Sequence, residues 1–299
     1  MIKRLSKVTP FLFFPLSVGD DFVQEIAEFL QKNAEGGLLP FSVQQEAGQR
    51  FSLHIAEVEE ISLGHDLLPA RYQRNRTMIS TQQQLSLLRS KVAVFGCGGL
   101  GGYIIEELAR LGVGRITVVD PDVFEEHNLN RQLLCTQELL GIKKVVAAEQ
   151  RVAAVNPAVR LQAFDVAFGH GNSAEILKGV TVAADGLDNI PVRLDLAEAC
   201  NDQNIPLVHG AIAGWSGHVA VQYPGENILQ HLYAGKKTGH GVEKRLGNPS
   251  FTPAAIASLE VAEIVKILLR TKPLLPRRYL AMDLYHMEFT EVFFPDGDP

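Results

Sequence analysis

From Lys91 onward, apolar and polar positions follow two alternating periods. Val92-Ala93-Val94-Phe95 is a short unbroken apolar run, the pattern of a strand buried on both faces. After a glycine-rich stretch, Ile104, Ile105, Leu108 and Leu111 recur at helical spacing. This predicts a helix over 103–111, stopped by Gly112 and Gly114. Residues 115–120 form the next strand-like run, ending in Asp120. Strand, helix and strand in this order predict a parallel pair joined by a crossover helix. The same reading predicts helices over 143–155 and 192–204, and strands over 180–184, 205–213 and 218–223. A short connector with Gly214, Trp215 and Gly217 joins the last two, and a glycine- and charge-rich loop covers 229–247. A long helix over 253–269 and closing strands over 278–283 and 288–294 complete the chain.

The first seventy residues have a different texture. Residues 12–18 predict a strand. Asp20 predicts an N-cap for a helix carrying Phe22, Val23, Ile26, Ala27, Phe29 and Leu30 on one face, ended by Gly36-Gly37. Alternation of Phe51, Leu53 and Ile55 predicts a strand over 51–58. The expected fold class is therefore α/β: a doubly wound, mostly parallel sheet with antiparallel C-terminal strands, plus a small N-terminal α+β extension. The expected division is 1–70, whose role the sequence leaves open, and 71–299.

Composition narrows the classes. The formal charge is 28 − 34 = −6, which argues against a bulk electrostatic grip on nucleic acid or acidic lipid. A hydrophobic share of 46% is enough for a sizeable core. Cys97, Cys135 and Cys200 are far apart and form no CxxC pair, which excludes a disulfide framework and a four-cysteine zinc site. The apolar run over 10–18 is too short to span a bilayer and holds two prolines. No small-residue cleavage site follows it. A cytoplasmic protein with no membrane or nucleic-acid partner is expected.

Candidate chemistry begins at Gly96-Cys97-Gly98-Gly99-Leu100-Gly101, a GxGxxG stretch between a predicted strand and helix. Glycines permit a tight turn and close backbone approach, and the helix start offers amides to phosphate, so a Rossmann-like nucleotide site is expected. Asp120, at the end of the next strand, stands where a carboxylate grips ribose hydroxyls. These features do not choose the nucleotide, and a dehydrogenase remains a reading. The stretch from Asp120 and Asp122 through Asn128-Leu129-Asn130-Arg131-Gln132, then Gly141-Ile142-Lys143-Lys144, adds cations. A triphosphate needs them more than a dinucleotide does. Asp185-Gly186-Leu187-Asp188-Asn189 follows a further strand, and an aspartate there can hold magnesium against phosphate oxygens. Taken singly, each of these charges reads as an ordinary solvated group; their joint placement after successive strands carries the argument.

These residues resemble the ThiF/MoeB/HesA family, bacterial relatives of ubiquitin-activating enzymes. The resemblance runs over roughly 71–269. It rests on Arg71-Tyr72-Gln73-Arg74, the glycine loop, Asp120 with Asp122, the 128–132 stretch, 141–144, 185–189, and Leu246-Gly247-Asn248-Pro249 before the last long helix. It implies a homodimer that uses ATP and Mg2+ to adenylylate the C-terminal glycine of a small β-grasp sulfur carrier ending in Gly-Gly. The products would be pyrophosphate and an acyl-adenylate, feeding molybdenum or tungsten cofactor or thiamine synthesis. It further implies that Gly96, Gly98, Gly99, Gly101, Asp120, Asp122, Asn128 and Gln132 bind the nucleotide. Asn128, Arg131 and Lys144 would face its phosphates. Asp188 would hold magnesium, and Arg74 would reach into the partner subunit's site. The nucleophile, a C-terminal carboxylate with a pKa of ~3.5, needs no general base.

Departures from the family pattern are informative. Many relatives carry a zinc held by two CxxC pairs, and some a loop cysteine that forms a thioester. The loop over 229–248 holds no cysteine, so neither zinc nor an enzyme thioester is expected. Cys200 falls on a predicted helix and reads as a core thiol. The loop over 233–244 is expected to order as the carrier's tail passes near 211–217. His209 and Trp215 lie there, with sheet packing as their default. Two further readings stay open: adenylylation of another acyl group, such as a peptide terminus or a modified tRNA base, and a non-catalytic subunit that docks a carrier. Retention of Arg74, Arg131, Lys144 and Asp188 favours catalysis.

Overall fold

A computed structural model describes residues 20–234, 246–271 and 277–294. The strand expected over 12–18 lies outside them. An eight-stranded sheet runs through the chain from Lys91 onward. Its members are β3 (Lys91–Phe95), β4 (Arg115–Val119), β5 (Arg160–Phe164), β6 (Val182–Asp185), β7 (Leu207–Ala213), β8 (Ser216–Gln222), β9 (Arg278–Asp283) and β10 (Glu288–Phe293). They lie in the order β10-β9-β8-β7-β6-β3-β4-β5. β5, β4, β3, β6 and β7 are mutually parallel, and β8, β9 and β10 add on antiparallel. The mixed α/β class, with a mostly parallel sheet and antiparallel C-terminal strands, is as the periodicity predicts.

The apolar runs become strands because both sheet faces are covered. Val92 and Val94 pack into one core with α5 (Gly99–Leu111) and α10 (Phe251–Leu268); Ala93 and Phe95 pack into the other with α8 (Ile190–Asp202). Alternate residues thus enter opposite cores, and all four are buried, so no polar position interrupts the run. From β3 the chain builds outward through β4 and β5, then returns to place β6 on the other side of β3. This reversal leaves a crevice between the carboxyl ends of β3 and β6, where such sheets take ligands.

The N-terminal region corrects one expectation. Residues 51–58 are not a strand. The chain forms α2 (Phe41–Phe51), turns at Ser52 with a φ of 55°, and starts α3 (Ile55–Gly64). The His54 side chain accepts the Ala56 amide at 3.1 Å, and the Glu57 carboxylate accepts the His54 amide at 2.7 Å. This capped helix start outweighs a three-residue alternation, and Phe51 closes the face shared with Ala47 rather than opening a strand. α1 (Asp20–Lys32) follows the predicted helix. The β content of the described part is one parallel pair of two-residue strands, β1 (Leu38–Leu39) and β2 (Leu68–Pro69). Sequence periodicity also left β5, α4 (Thr81–Arg89) and α7 (His170–Ile176) unpredicted. Among the described residues no helix is long and apolar enough to cross a membrane.

A buried polar joint fastens α3 to the sheet region. The Tyr72 hydroxyl donates to Glu59 at 3.1 Å and accepts from Asn156 at 2.9 Å, while Arg71 stands 3.4 Å from Glu59. Gly112 has no Cβ because one would meet the Tyr72 hydroxyl at 2.4 Å. Burial pushes the Glu59 carboxyl up from 4.5 to about 7, against the pull of Arg71 and Tyr72. The folded protein therefore holds a proton that the unfolded chain releases, and Glu59's contribution to stability is lost as pH rises from 4.5 through about 7. Glu59→Gln is expected to remove that loss. Thermal melts at about pH 5 and about pH 8 should show the variant gaining on the wild type at the higher pH. Equal declines in the two proteins would contradict the assignment.

Candidate active site

Three glycines let two backbone turns meet at the crevice. Gly96 follows β3 with a φ of 92°, and a Cβ there would lie 2.6 Å from the Gly186 carbonyl oxygen beyond β6. A Cβ on Gly101 would lie 1.8 Å from the Gly96 carbonyl oxygen. The turn is therefore packed backbone against backbone, and α5 begins at Gly99 with its first amides unpaired and available to an anion. Asp120 pins the same turn: its carboxylate accepts Cys97 N–H at 2.7 Å and Asp122 N–H at 2.8 Å. Burial pushes the Asp120 carboxyl above its ordinary range, opposed by Lys144 and those two amides. The carboxylate keeps further lone pairs for ribose hydroxyls.

A cleft of about 1230 Å³ opens from this turn across the sheet to β9 and β10. Gly96, Gly98, Gly99, Asp120, Asp122, Arg131, Gln132, Lys144 and Asp188 all line it. Lys144 is nearly buried and bridges to Asp122 at 2.9 Å. Arg131 is steadied by the Asn130 side chain at 2.9 Å and the His127 carbonyl at 3.2 Å. The buried Gln132 side-chain oxygen has no partner among the described residues. The Asp188 carboxylate is exposed in the cleft and makes no hydrogen bond or ion pair among the described residues. No group of three or more potential metal ligands occurs among those residues. One free carboxylate suits magnesium, which takes one or two protein oxygens and completes its shell with phosphate and water.

Three expected site residues stand apart. Gly101 lies beneath the turn and does not line the cleft. Asn128 is buried, with its side-chain oxygen accepting Glu125 N–H at 2.9 Å, so it shapes the loop that carries Arg131. Arg74 is exposed, outside the cleft of its own chain, and unpaired among the described residues. Trp215 is exposed against Phe251 and Tyr285, whereas His209 is fully buried. The loop over 229–248 begins as α9 (Ile228–Leu232), and residues 235–245 lie outside the described set. All three cysteines are free and buried. Burial and nearby Asp185 push the Cys200 thiol up to about 12, which makes it a poor nucleophile.

Sequence reasoning missed a buried polar network at the floor of the cleft, which two of its members, Arg193 and Tyr233, line. Asp185 does not face the crevice. It is fully buried and bonded to His209 at 2.7 Å, with Arg193 at 3.6 Å. Burial alone would raise the Asp185 carboxyl, but Arg193 and His209 more than offset this and hold it below its ordinary range. Glu260 of α10, also fully buried, has both oxygens unpaired among the described residues, and burial with Asp185 nearby raises its carboxyl well above the usual range. A Cβ on Gly210 would meet it at 2.4 Å. No local sequence signal marks this group, because its members come from β6, α8, β7 and α10.

Comparison with known proteins agrees with this geometry. A model of the ThiF family matches residues 72–296. The chain is 33% identical over 226 residues to the SAMP-activating enzyme E1 of Haloferax volcanii, covering 74% of this chain and 84% of that protein. It is 34% identical over 232 residues to the sulfur carrier protein adenylyltransferase of Thermus thermophilus, covering 74% and 86%. The crystal structure of PaaA shares the fold at a TM-score of 0.63 and 22% identity, over 75% of this chain and 82% of that one.

The turn geometry yields a direct expectation. Gly101→Ala should destabilise the protein by about 1–3 kcal/mol, the usual cost of forcing atoms into a filled site, and should weaken ATP binding with it. A melting temperature and an ATP titration equal to wild type would show that the turn is not packed as described.

Proposed function

This chain belongs to the ThiF family, and on that premise we propose that it adenylylates the C-terminal glycine of a small ubiquitin-like sulfur carrier, using ATP and magnesium. It is an adenylyltransferase, as its relatives are named. The observation that carries the reading is the cleft itself. Phosphate-binding amides, Arg131, Lys144 and a free Asp188 carboxylate gather at one end, and an open channel over β7, β8 and β9 leads away from them. A nucleotide occupies the first part and an extended peptide tail the second.

The carrier's terminal carboxylate attacks the α-phosphorus of ATP, the bond to the β,γ-pyrophosphate breaks, and an acyl-adenylate forms. The carboxylate is already ionised, so no residue has to remove a proton. The obstacle is repulsion between an anion and a polyanion. Arg131 and Lys144 reduce it by placing fixed cations on the phosphates, at no reorganisation cost. The amides at the start of α5 hold the phosphates in line, and Asp120 orients the ribose. Asp188 would hold magnesium, which supplies charge neutralisation on phosphate oxygens. Gln132, with its unpaired buried oxygen, is read as a further nucleotide contact. The buried cysteines support transfer without an enzyme thioester, in a cytoplasmic protein. Residues 71–299 are read as the catalytic unit and 1–70 as an extension. Arg74 is read as acting in the partner of a homodimer, because it is exposed, unpaired and remote from its own cleft.

Arg131→Ala and Asp188→Ala should each lower carrier-dependent exchange of pyrophosphate into ATP by on the order of 10³-fold or more, with melting temperatures unchanged. Near-normal exchange by either folded variant would overturn its role. Arg74→Ala and Asp188→Ala should each be inactive alone and regain exchange when their subunits are mixed and reassembled. Failure to complement, with mixed dimers verified, would place Arg74 outside the partner's site.

A further inference from the structure

The loop between β6 and α8 is held by hydrogen bonds on both sides of Asp188, whose own side chain is left without one among the described residues. The Asp185 carboxylate accepts the Leu187 amide at 3.0 Å, and the Arg193 guanidinium donates to the Leu187 carbonyl. The same guanidinium donates to the Gly210 carbonyl at 3.3 Å, which ties the loop to β7. Before it, the Gly186 amide donates to the Phe95 carbonyl at 2.8 Å. After it, the Asn189 side chain accepts the Val192 amide at 3.2 Å and caps α8. Asp188 is therefore flanked by a residue gripped through both its amide and its carbonyl and by a helix cap.

The two gripping side chains are themselves closed into a ring. Arg193 donates to the Tyr233 hydroxyl at 2.7 Å, Tyr233 bonds His209 Nε2 at 3.1 Å, and His209 Nδ1 bonds Asp185 at 2.7 Å. The Arg193–Asp185 ion pair at 3.6 Å completes the circuit. All four residues are buried. Burial lowers the His209 pKa, with Asp185 opposing, so the ring stays neutral and donates from Nδ1 to Asp185 while accepting from Tyr233 at Nε2. Donors and acceptors then alternate from Arg193 through Tyr233 and His209 to Asp185, and the ion pair joins the two ends of this chain, the cation that only donates and the carboxylate that only accepts.

We propose that Arg193 and Tyr233 are positioning residues for the metal step: through the Leu187 peptide, the Arg193–Tyr233–His209–Asp185 ring fixes the direction in which Asp188 presents its carboxylate to magnesium. This rests on the reading of Asp188 as the magnesium ligand. Neither Arg193 nor Tyr233 is required to touch the metal. The ring acts as outer partners do at metal sites, where their loss costs about 10–100-fold in metal affinity.

The test is ATP binding by the full-length protein, titrated calorimetrically with magnesium and again with chelator, for wild type, Asp188→Asn, Arg193→Lys and Tyr233→Phe. The wild type should bind more tightly with magnesium, and Asp188→Asn should lose that gain. Arg193→Lys keeps the charge and loses the fork; Tyr233→Phe keeps the ring volume and loses one oxygen. Each should cut the magnesium-dependent gain by about 10-fold while metal-free ATP affinity stays at the wild-type level. Because Tyr233→Phe is nearly isosteric, it reads the ring even where Arg193→Lys lowers the melting temperature. A wild type whose affinity ignores magnesium overturns the metal assignment and this inference with it. A responsive wild type matched by both variants overturns this inference alone. So does an equal loss with and without magnesium, because a merely structural role predicts it.

Discussion

The contact between the turns after β3 and β6 is the constraint from which the site follows. Gly96, Gly101 and Gly186 approach so closely that no side chain fits between them. The approach is possible because β3 and β6 are hydrogen-bonded neighbours whose connections leave in opposite directions. With the turns in contact, the start of α5 and the Asp188 loop face one crevice from its two sides. The charged groups that line the cleft, at 120–132 and 144 on one side and at 188 on the other, are gathered around that approach.

Electrostatics then divides the region into a wet and a dry layer. In the cleft, Arg131, Lys144, Asp122 and Asp188 reach solvent or one another. Below it, Asp185 and Arg193 form an ion pair that burial alone would forbid, and a neutral histidine and a tyrosine hydroxyl satisfy it. Glu260, by contrast, has no hydrogen-bond partner among the described residues, and burial pushes its carboxyl well above the usual range. Such a layer gives little net stability for its cost. Its benefit is geometric: the bonds that link Arg193, Tyr233, His209 and Asp185 restrict the backbone above them.

The legible part of this design was the part written locally. The run 92–95 and the glycine loop are contiguous, Asp120 ends the next strand, and their spacing alone is enough to expect a nucleotide site. Asp188 could be singled out as a candidate because it follows a predicted strand, and it lines the cleft. The chain between 51 and 58 misled because three alternating apolar residues mimic a strand, while the decisive capping bonds of His54 and Glu57 are side-chain events. β5 escaped notice because Arg160 and Gln162 give it the look of a loop, although its pairing with β4 buries Leu161, Ala163 and Phe164. The pairing of His209 with Asp185 and Tyr233 carried no signal, because each lies 24 residues away along the chain. Long-range polar pairing has no period to read.

The most direct test is to weigh the product. The full chain is incubated with ATP, magnesium and a small β-grasp carrier ending in Gly-Gly, and the intact carrier is measured by mass spectrometry. The account predicts a carrier heavier by one adenylyl group on its C-terminal glycine, and no adduct on a carrier lacking that residue. A protein that binds ATP yet leaves every such carrier unmodified would contradict it.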